Sequence, residues 1–253
     1  MKRKRKENVF HYIKKTVKKR AMHFSLLDPD PKKNGVEKLA SLAGTLNRMR
    51  TDAILIGGST GIEAPFLDAC TRAIKEQFTK PVILFPGGKS GVTQHADAVF
   101  FMSLFNSKNP YWITGIQAQA IHQLRQLRLE RIPMAYLVVE PGMRAGRVGK
   151  ARCIKRDEAT VAAGYAEAAE QFGFSLVYLE AGSGAPHHVT PEMVSAVKER
   201  IKIPLIVGGG IRTPDAAREI VNAGADIIVT GAIIEQDPSR VGDIVRAIQA
   251  CRR

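Results

Sequence analysis

Long apolar runs, cystine frameworks and internal repeats are all missing from this sequence. No stretch approaches the roughly 20 consecutive apolar residues that a helix needs to cross a bilayer. The three cysteines, Cys70, Cys153 and Cys251, are too few and too scattered over 253 residues for a disulfide scaffold or a zinc site. They read as buried or inert thiols. The opening Met1-Lys2-Arg3-Lys4-Arg5-Lys6 is followed by no apolar stretch and no small-residue cleavage site, so a secretory signal is not expected and a reducing, cytoplasmic setting is. No linker or low-complexity block divides the chain.

Acid is also in short supply: 24 Asp and Glu stand against 38 Lys and Arg, a net charge of +14. The imbalance is local. Residues 1–20 hold ten Lys or Arg against Glu7 alone, and the rest of the chain carries a net charge of only +5. Val9, Phe10, Ile13 and Val17 recur among those lysines at helical spacing. The segment is thus an amphipathic basic helix or tail that docks on the body of the protein or lies on an anionic membrane surface. Nucleic-acid binding is the weaker alternative.

What is present is alternation. Short apolar runs at Met22–Leu27, Ala53–Ile56, Pro81–Phe85, Ala98–Met102, Met134–Val139, Leu176–Glu180, Leu205–Val207 and Ile227–Thr230 read as eight strands. Helical patterns at Val36–Met49, Ile62–Gln77, Tyr111–Arg128, Asp157–Phe172, Pro191–Arg200, Pro214–Ala223 and Ser239–Cys251 separate most of them. Thr190-Pro191 and Thr213-Pro214 each set a capping hydroxyl before a Pro at the first helical position. Eight strands with crossover helices predict an α/β fold, a (βα)8 TIM barrel, formed by residues 21–253 behind the basic segment 1–20. The glycine-rich Gly87–Val92 leaves little room after the third strand, so an irregular or missing helix is expected there.

Chemistry in such a barrel sits at the C-terminal strand ends. Gly208-Gly209-Gly210 after strand seven and Thr230-Gly231-Ala232 after strand eight bare backbone N–H groups where a phosphate is often held. Tyr178-Leu179-Glu180-Ala181-Gly182-Ser183-Gly184 ends strand six beside them, with Glu180 able to bind hydroxyls or take a proton. Asp28-Pro29-Asp30 offers oxygen ligands to a hard cation or merely a turn. Gly57-Gly58-Ser59-Thr60 is equally ambiguous. Phe100–Asn106 and Asn109-Pro110-Tyr111-Trp112 bring large apolar groups to the rim, as core or as the wall of an elongated groove. The adjacent His187-His188 do not present one face to a metal and read as a surface turn.

Taken in order, these motifs resemble the geranylgeranylglyceryl phosphate synthase family in its larger second group, from about His23 to the C-terminus. The resemblance rests on Leu27-Asp28-Pro29, Ile56–Thr60, Phe100–Leu104, Asn109–Trp112, Tyr178–Ala185, Val207–Arg212 and Val229–Gly231. It implies a Mg2+-dependent prenyltransferase of membrane ether-lipid synthesis, joining geranylgeranyl diphosphate to sn-glycerol 1-phosphate and working as a homo-oligomer, dimer or hexamer. By the same resemblance Asp28 and Ser59 hold Mg2+. Tyr178, Leu179, Glu180, Ala181, Gly182, Ser183, Gly184, Gly209, Gly210, Gly231 and Ala232 hold glycerol 1-phosphate, with Glu180 catalytic. Leu26 stands where the family's first group has a Lys, so any contact of that Lys must come from elsewhere. A longer-chain prenyl synthase and a phosphosugar isomerase or synthase on the same barrel remain alternatives.

Overall fold

In the computed structural model, which describes residues 8–57, 62–89, 91–127 and 129–251, eight parallel strands close a barrel in chain order. They are β1 Met22–Leu27, β2 Ala53–Gly57, β3 Val82–Phe85, β4 Ala98–Leu104, β5 Glu130–Val138, β6 Leu176–Glu180, β7 Leu205–Gly208 and β8 Ile227–Thr230. The ten α-helices among the described residues are α1 Val9–Val17, α2 Val36–Arg48, α3 Ala64–Gln77, α4 Ile116–Gln126, α5 Met143–Val148, α6 Ala159–Gln171, α7 Pro191–Arg200, α8 Pro214–Asn222, α9 Ala232–Gln236 and α10 Val241–Ala250. Thr190 and Thr213 cap α7 and α8, accepting from Met193 N–H and Ala216 N–H. Among the described residues no helix joins β3 to β4.

Three sequence expectations are corrected. Strand five begins at Glu130, four residues before Met134, because its residues Glu130 to Tyr136 pair with the whole of β4. The helix expected from Tyr111 opens as a π turn, Tyr111–Gly115, before tightening into α4. Two short helices, α5 and α9, interrupt segments that carry no long helical pattern.

Alternate strand residues divide the core in two. Leu27, Ile54, Ile56, Leu84 and Leu179 pack outward beneath the helices, whereas Phe24, Leu55, Phe100, Met134, Tyr178 and Ile206 fill the barrel. Burial on both faces explains why these strands read as continuous apolar runs. Val9, Ile13 and Val17 belong to the inner cluster. The N-terminal helix therefore closes the bottom of the barrel with its apolar face, and that face is not offered to a membrane. Its first amides are held from the start of β5: Glu130 accepts from Val9 N–H at 2.6 Å and Phe10 N–H at 3.0 Å. A carboxylate there also complements the helix dipole.

Carboxylates repeat around the same end. Asp97 and Asp226 each accept the first N–H of the preceding strand, Val82 and Leu205, and pair with Lys75 and Lys198. Asp52 accepts the second N–H of the preceding strand, that of His23, and takes a two-pronged bond from Arg20 at 2.9 and 2.7 Å. Burial alone would raise the Asp52 pKa; the bond and charge of Arg20, with His23 N–H and Lys80, outweigh it and hold the carboxyl below its ordinary value. A carboxyl depressed by folding stabilises above its unfolded pKa of about 3.9, and that contribution disappears as pH falls through the folded value. Asp52→Ala should cost about 1–3 kcal/mol at neutral pH by orphaning the buried His23 N–H. Urea titrations should show the gap between the two proteins narrowing in acid as the ionic contribution is lost; an unchanged gap would refute the linkage.

Candidate functional site

Two cavities open at the C-terminal end of the strands and share a wall. The smaller, about 40 Å³, is lined by Tyr178, Glu180, Ser183, Gly184, Gly209, Gly210, Arg212, Thr230, Gly231 and Ala232, among others. The larger is a groove of about 580 Å³, leading from Asp28 past Phe85, Phe100, Met102 and Trp112 to Ala120 and Leu124 on α4. Leu26, Glu180 and Ser183 border both. Phe100–Leu104 and Trp112 thus wall a groove as well as filling core.

The smaller cavity depends on glycine. Gly182, Gly184, Gly209 and Gly210 all have positive φ, between 75° and 106°. A Cβ on Gly209 would lie 2.6 Å from Glu180 Oε1 and 2.7 Å from Gly182 N, so only glycine lets the two loops meet. Arg212 reaches across to donate to Ala185 O at 2.6 Å. Thr230 turns its hydroxyl away to the buried His23, 2.9 Å from Nε2, leaving the backbone of Gly231 and Ala232 to line the cavity. Ala181 is buried behind Gly182, and Leu179 packs outward in the layer beneath the helices, so its backbone alone continues β6.

Glu180 is the buried charge of the site. Its Oε1 accepts from Gly182 N–H at 2.6 Å. Burial raises its pKa, against the opposing hydrogen bonds from Gly182 N–H and the hydroxyls of Tyr136 and Tyr178. Burial first, and then the Glu180 charge, push both phenols well above their ordinary range, so they stay protonated donors. The two rings lie 5.1 Å apart, and Phe85 stacks on Tyr178 at 5.6 Å. Gly208 makes room, since a Cβ there would collide with the Tyr178 hydroxyl.

Across the groove, Asp28 ends β1. Burial and then Glu235 on α9 raise its pKa, Arg144 and Lys33 counter them, and Asp30 adds to the rise. A Cβ on Gly57 would collide with Asp28 Oδ1, so that glycine gives the carboxylate its place. Ser59, expected beside it, lies outside the described residues. Among the described residues no group of three or more His, Cys, Asp or Glu forms a metal cluster. His187 is exposed, and His188 is engaged with Val189 O.

Sequence reasoning missed Tyr136, Glu235, Arg144 and the groove cations Lys33 and Lys89. Tyr136 was within reach, two residues above Met134 on the inward face of β5. Glu235 was not, because α9 is too short to show a period. Lys33, Lys89 and Arg144 line a groove whose wall carries Leu26, so positive charge is supplied from the segments after β1 and β3 and from α5.

The PcrB family profile matches residues 14–251. A geranylgeranylglyceryl phosphate synthase of Thermococcus kodakarensis is 52% identical over 89% of this chain and 88% of its own. The crystal structure of (S)-3-O-geranylgeranylglyceryl phosphate synthase from Thermoplasma acidophilum in complex with substrate sn-glycerol-1-phosphate aligns with a TM-score of 0.93 at 43% identity, over 97% of this chain and 100% of that one. An N-acetylmannosamine-6-phosphate 2-epimerase of Clostridium perfringens, at 15% identity and a TM-score of 0.55 over 90% of this chain and 96% of its own, shares the fold alone.

A side chain at Gly209 has neither the backbone freedom nor the space it needs, a strain of order 1–3 kcal/mol. Calorimetric titration of Gly209→Ala with inorganic phosphate should show binding weakened about tenfold or more. Equal affinity would mean that the smaller cavity is not the anion site.

Proposed function

The chain belongs to the PcrB family, and we infer that it transfers a geranylgeranyl group from its allylic diphosphate to the 3-hydroxyl of sn-glycerol 1-phosphate. An ether bond forms, giving 3-O-geranylgeranylglyceryl phosphate, and diphosphate leaves. The observation that carries this reading is the shared wall: Glu180 borders both a phosphate-sized, glycine-lined cavity and an apolar groove. A phosphosugar isomerase has no use for such a groove.

The smaller cavity holds the phosphate on the backbone amides of Gly184, Gly209, Gly210, Gly231 and Ala232, with Arg212 alongside. The glycerol hydroxyls then point to Glu180. The hydroxyls of Tyr136 and Tyr178 and the N–H of Gly182 fix this carboxylate, so it meets the 3-hydroxyl without reorganising. Folding raises its pKa, which makes it a better base than an exposed carboxylate. It accepts the hydroxyl proton as the oxygen bonds to the allylic carbon.

The groove binds the prenyl tail along Phe100, Met102, Trp112 and Leu124 and excludes water from the reacting carbon. Lys33, Lys89 and Arg144 draw the diphosphate to the groove mouth. Phe85 and Tyr136 line the groove beside Glu180, and aromatic rings there stabilise the positive charge that develops as diphosphate departs. Asp28 suits Mg2+, a hard cation that usually takes one or two carboxylates and completes its shell with substrate phosphates and water. Asp28 and Glu235, whose charge helps raise the Asp28 pKa, both line the groove and supply two oxygen donors that fit that demand. When bound, the metal neutralises charge on the departing diphosphate.

The direct test combines purified protein and Mg2+ with labelled glycerol 1-phosphate of either enantiomer and prenyl diphosphates of fifteen to thirty-five carbons. Extractable product should form from the sn-1 enantiomer, most readily with the twenty-carbon donor. No product from any pair would overturn the reading. Asp28→Asn should raise the Mg2+ concentration for half-maximal rate by at least about tenfold; an unchanged requirement would remove Asp28 from the metal site.

A further inference from the structure

The segments after β4 and β5 meet to form one lip of the groove. Lys108 N–H donates to Lys150 O at 2.9 Å, Ser107 Oγ–H to Gly149 O at 2.6 Å and Arg152 N–H to Asn106 O at 2.8 Å. Trp112, Arg144 and Val148 from these segments line the groove itself. Five large apolar side chains are exposed among the described residues, and three stand on this lip: Tyr111 at 36%, Met143 at 37% and Val148 at 45%. Cations lie between them. From Met143 to Arg156 the chain carries six Lys or Arg and no acid, and Arg144, Arg147, Lys150 and Arg152 are exposed.

Exposed apolar side chains interleaved with cations are what holds a peripheral protein at an anionic lipid surface. The cations find headgroups while the apolar side chains enter the boundary beneath them. The opposite end of the barrel differs. There Lys14, Lys15, Lys18 and Lys19 are exposed, but Val9, Ile13 and Val17 are spent on closing the barrel, leaving α1 charge without an apolar face.

We propose that the lip formed by residues 107–112 and 143–152 docks on an anionic phospholipid bilayer, so that the groove opens at the membrane surface. The proposal rests on the transferase reading, because a prenyl diphosphate and its ether-lipid product both partition into bilayers. Docking lets the tail pass between groove and membrane without crossing water, and the phosphate cavity keeps its access to soluble substrate.

Co-sedimentation with phosphatidylcholine vesicles, pure or with roughly a third phosphatidylglycerol, tests it. Wild type should bind the anionic vesicles, ignore the neutral ones and detach at high salt. Arg147→Glu/Lys150→Glu should weaken partitioning by at least about 30-fold, at a cation apiece. The same variant should keep wild-type turnover on detergent-dispersed substrate. Neutralising Lys14, Lys15, Lys18 and Lys19 to Gln should change vesicle binding by no more than about twofold. Vesicle binding unaffected by the double variant, or abolished by the α1 variant, would overturn the proposal. So would a double variant that dissociates an oligomer while vesicle binding persists, since the lip would then face a second copy of the chain. Failure of wild type to make any product would sink the transferase reading instead, a readout independent of sedimentation.

Discussion

A buried carboxylate survives in a barrel only if something holds it, and Glu180 is held from three directions. Gly182 N–H donates at 2.6 Å, and the hydroxyls of Tyr136 and Tyr178 supply two further bonds. Much of the neighbouring structure exists to permit this. Gly208 clears space for the Tyr178 ring, Gly209 lets the loop after β7 close against Gly182, and Phe85 stacks beneath. Burial still wins over these bonds and leaves the carboxyl more basic than in water. The group that divides the two cavities is therefore a carboxyl more basic than an exposed one.

The far end of the barrel does the opposite work. Asp52, Asp97 and Asp226 satisfy strand amides and pair with neighbouring cations, and α1 seals the interior with Val9, Ile13 and Val17. Stability is concentrated at that face and unfavourable burial of charge at the other. This separation lets the catalytic rim vary its loops without loosening the barrel.

Much of the fold was legible because it rests on period and end chemistry. β1, β6 and β8 carry the residues expected of them, and Thr190-Pro191 and Thr213-Pro214 announced their helices. The glycine loops after β7 and β8 and the Tyr178–Gly184 segment also converge on one cavity. What escaped depends on tertiary geometry. The π turn at Tyr111–Gly115 exists because Ser103 Oγ–H and Gln117 Nε2–H take the carbonyls of Ile113 and Trp112, and such ties leave no periodic mark. Glu235 acts on Asp28 only because the tertiary fold brings α9 to the same groove. The basic N-terminal segment left two readings open, docking or membrane contact, and only the packed structure distinguishes where its apolar face goes.

The central claim is that Glu180, buried and bonded, is the base. Its folded pKa is raised, so its ionised form costs stability above that value, and below the unfolded pKa the cost is absent. The pH dependence of kcat/KM for glycerol 1-phosphate, in wild type and Glu180→Gln, measures this directly. Wild type should show an acid limb with an apparent pKa above the ordinary 4.5. The variant should lose that limb, fall about 100-fold or more in kcat and melt at a higher temperature. Near-normal turnover in Glu180→Gln with the same acid limb would contradict the account.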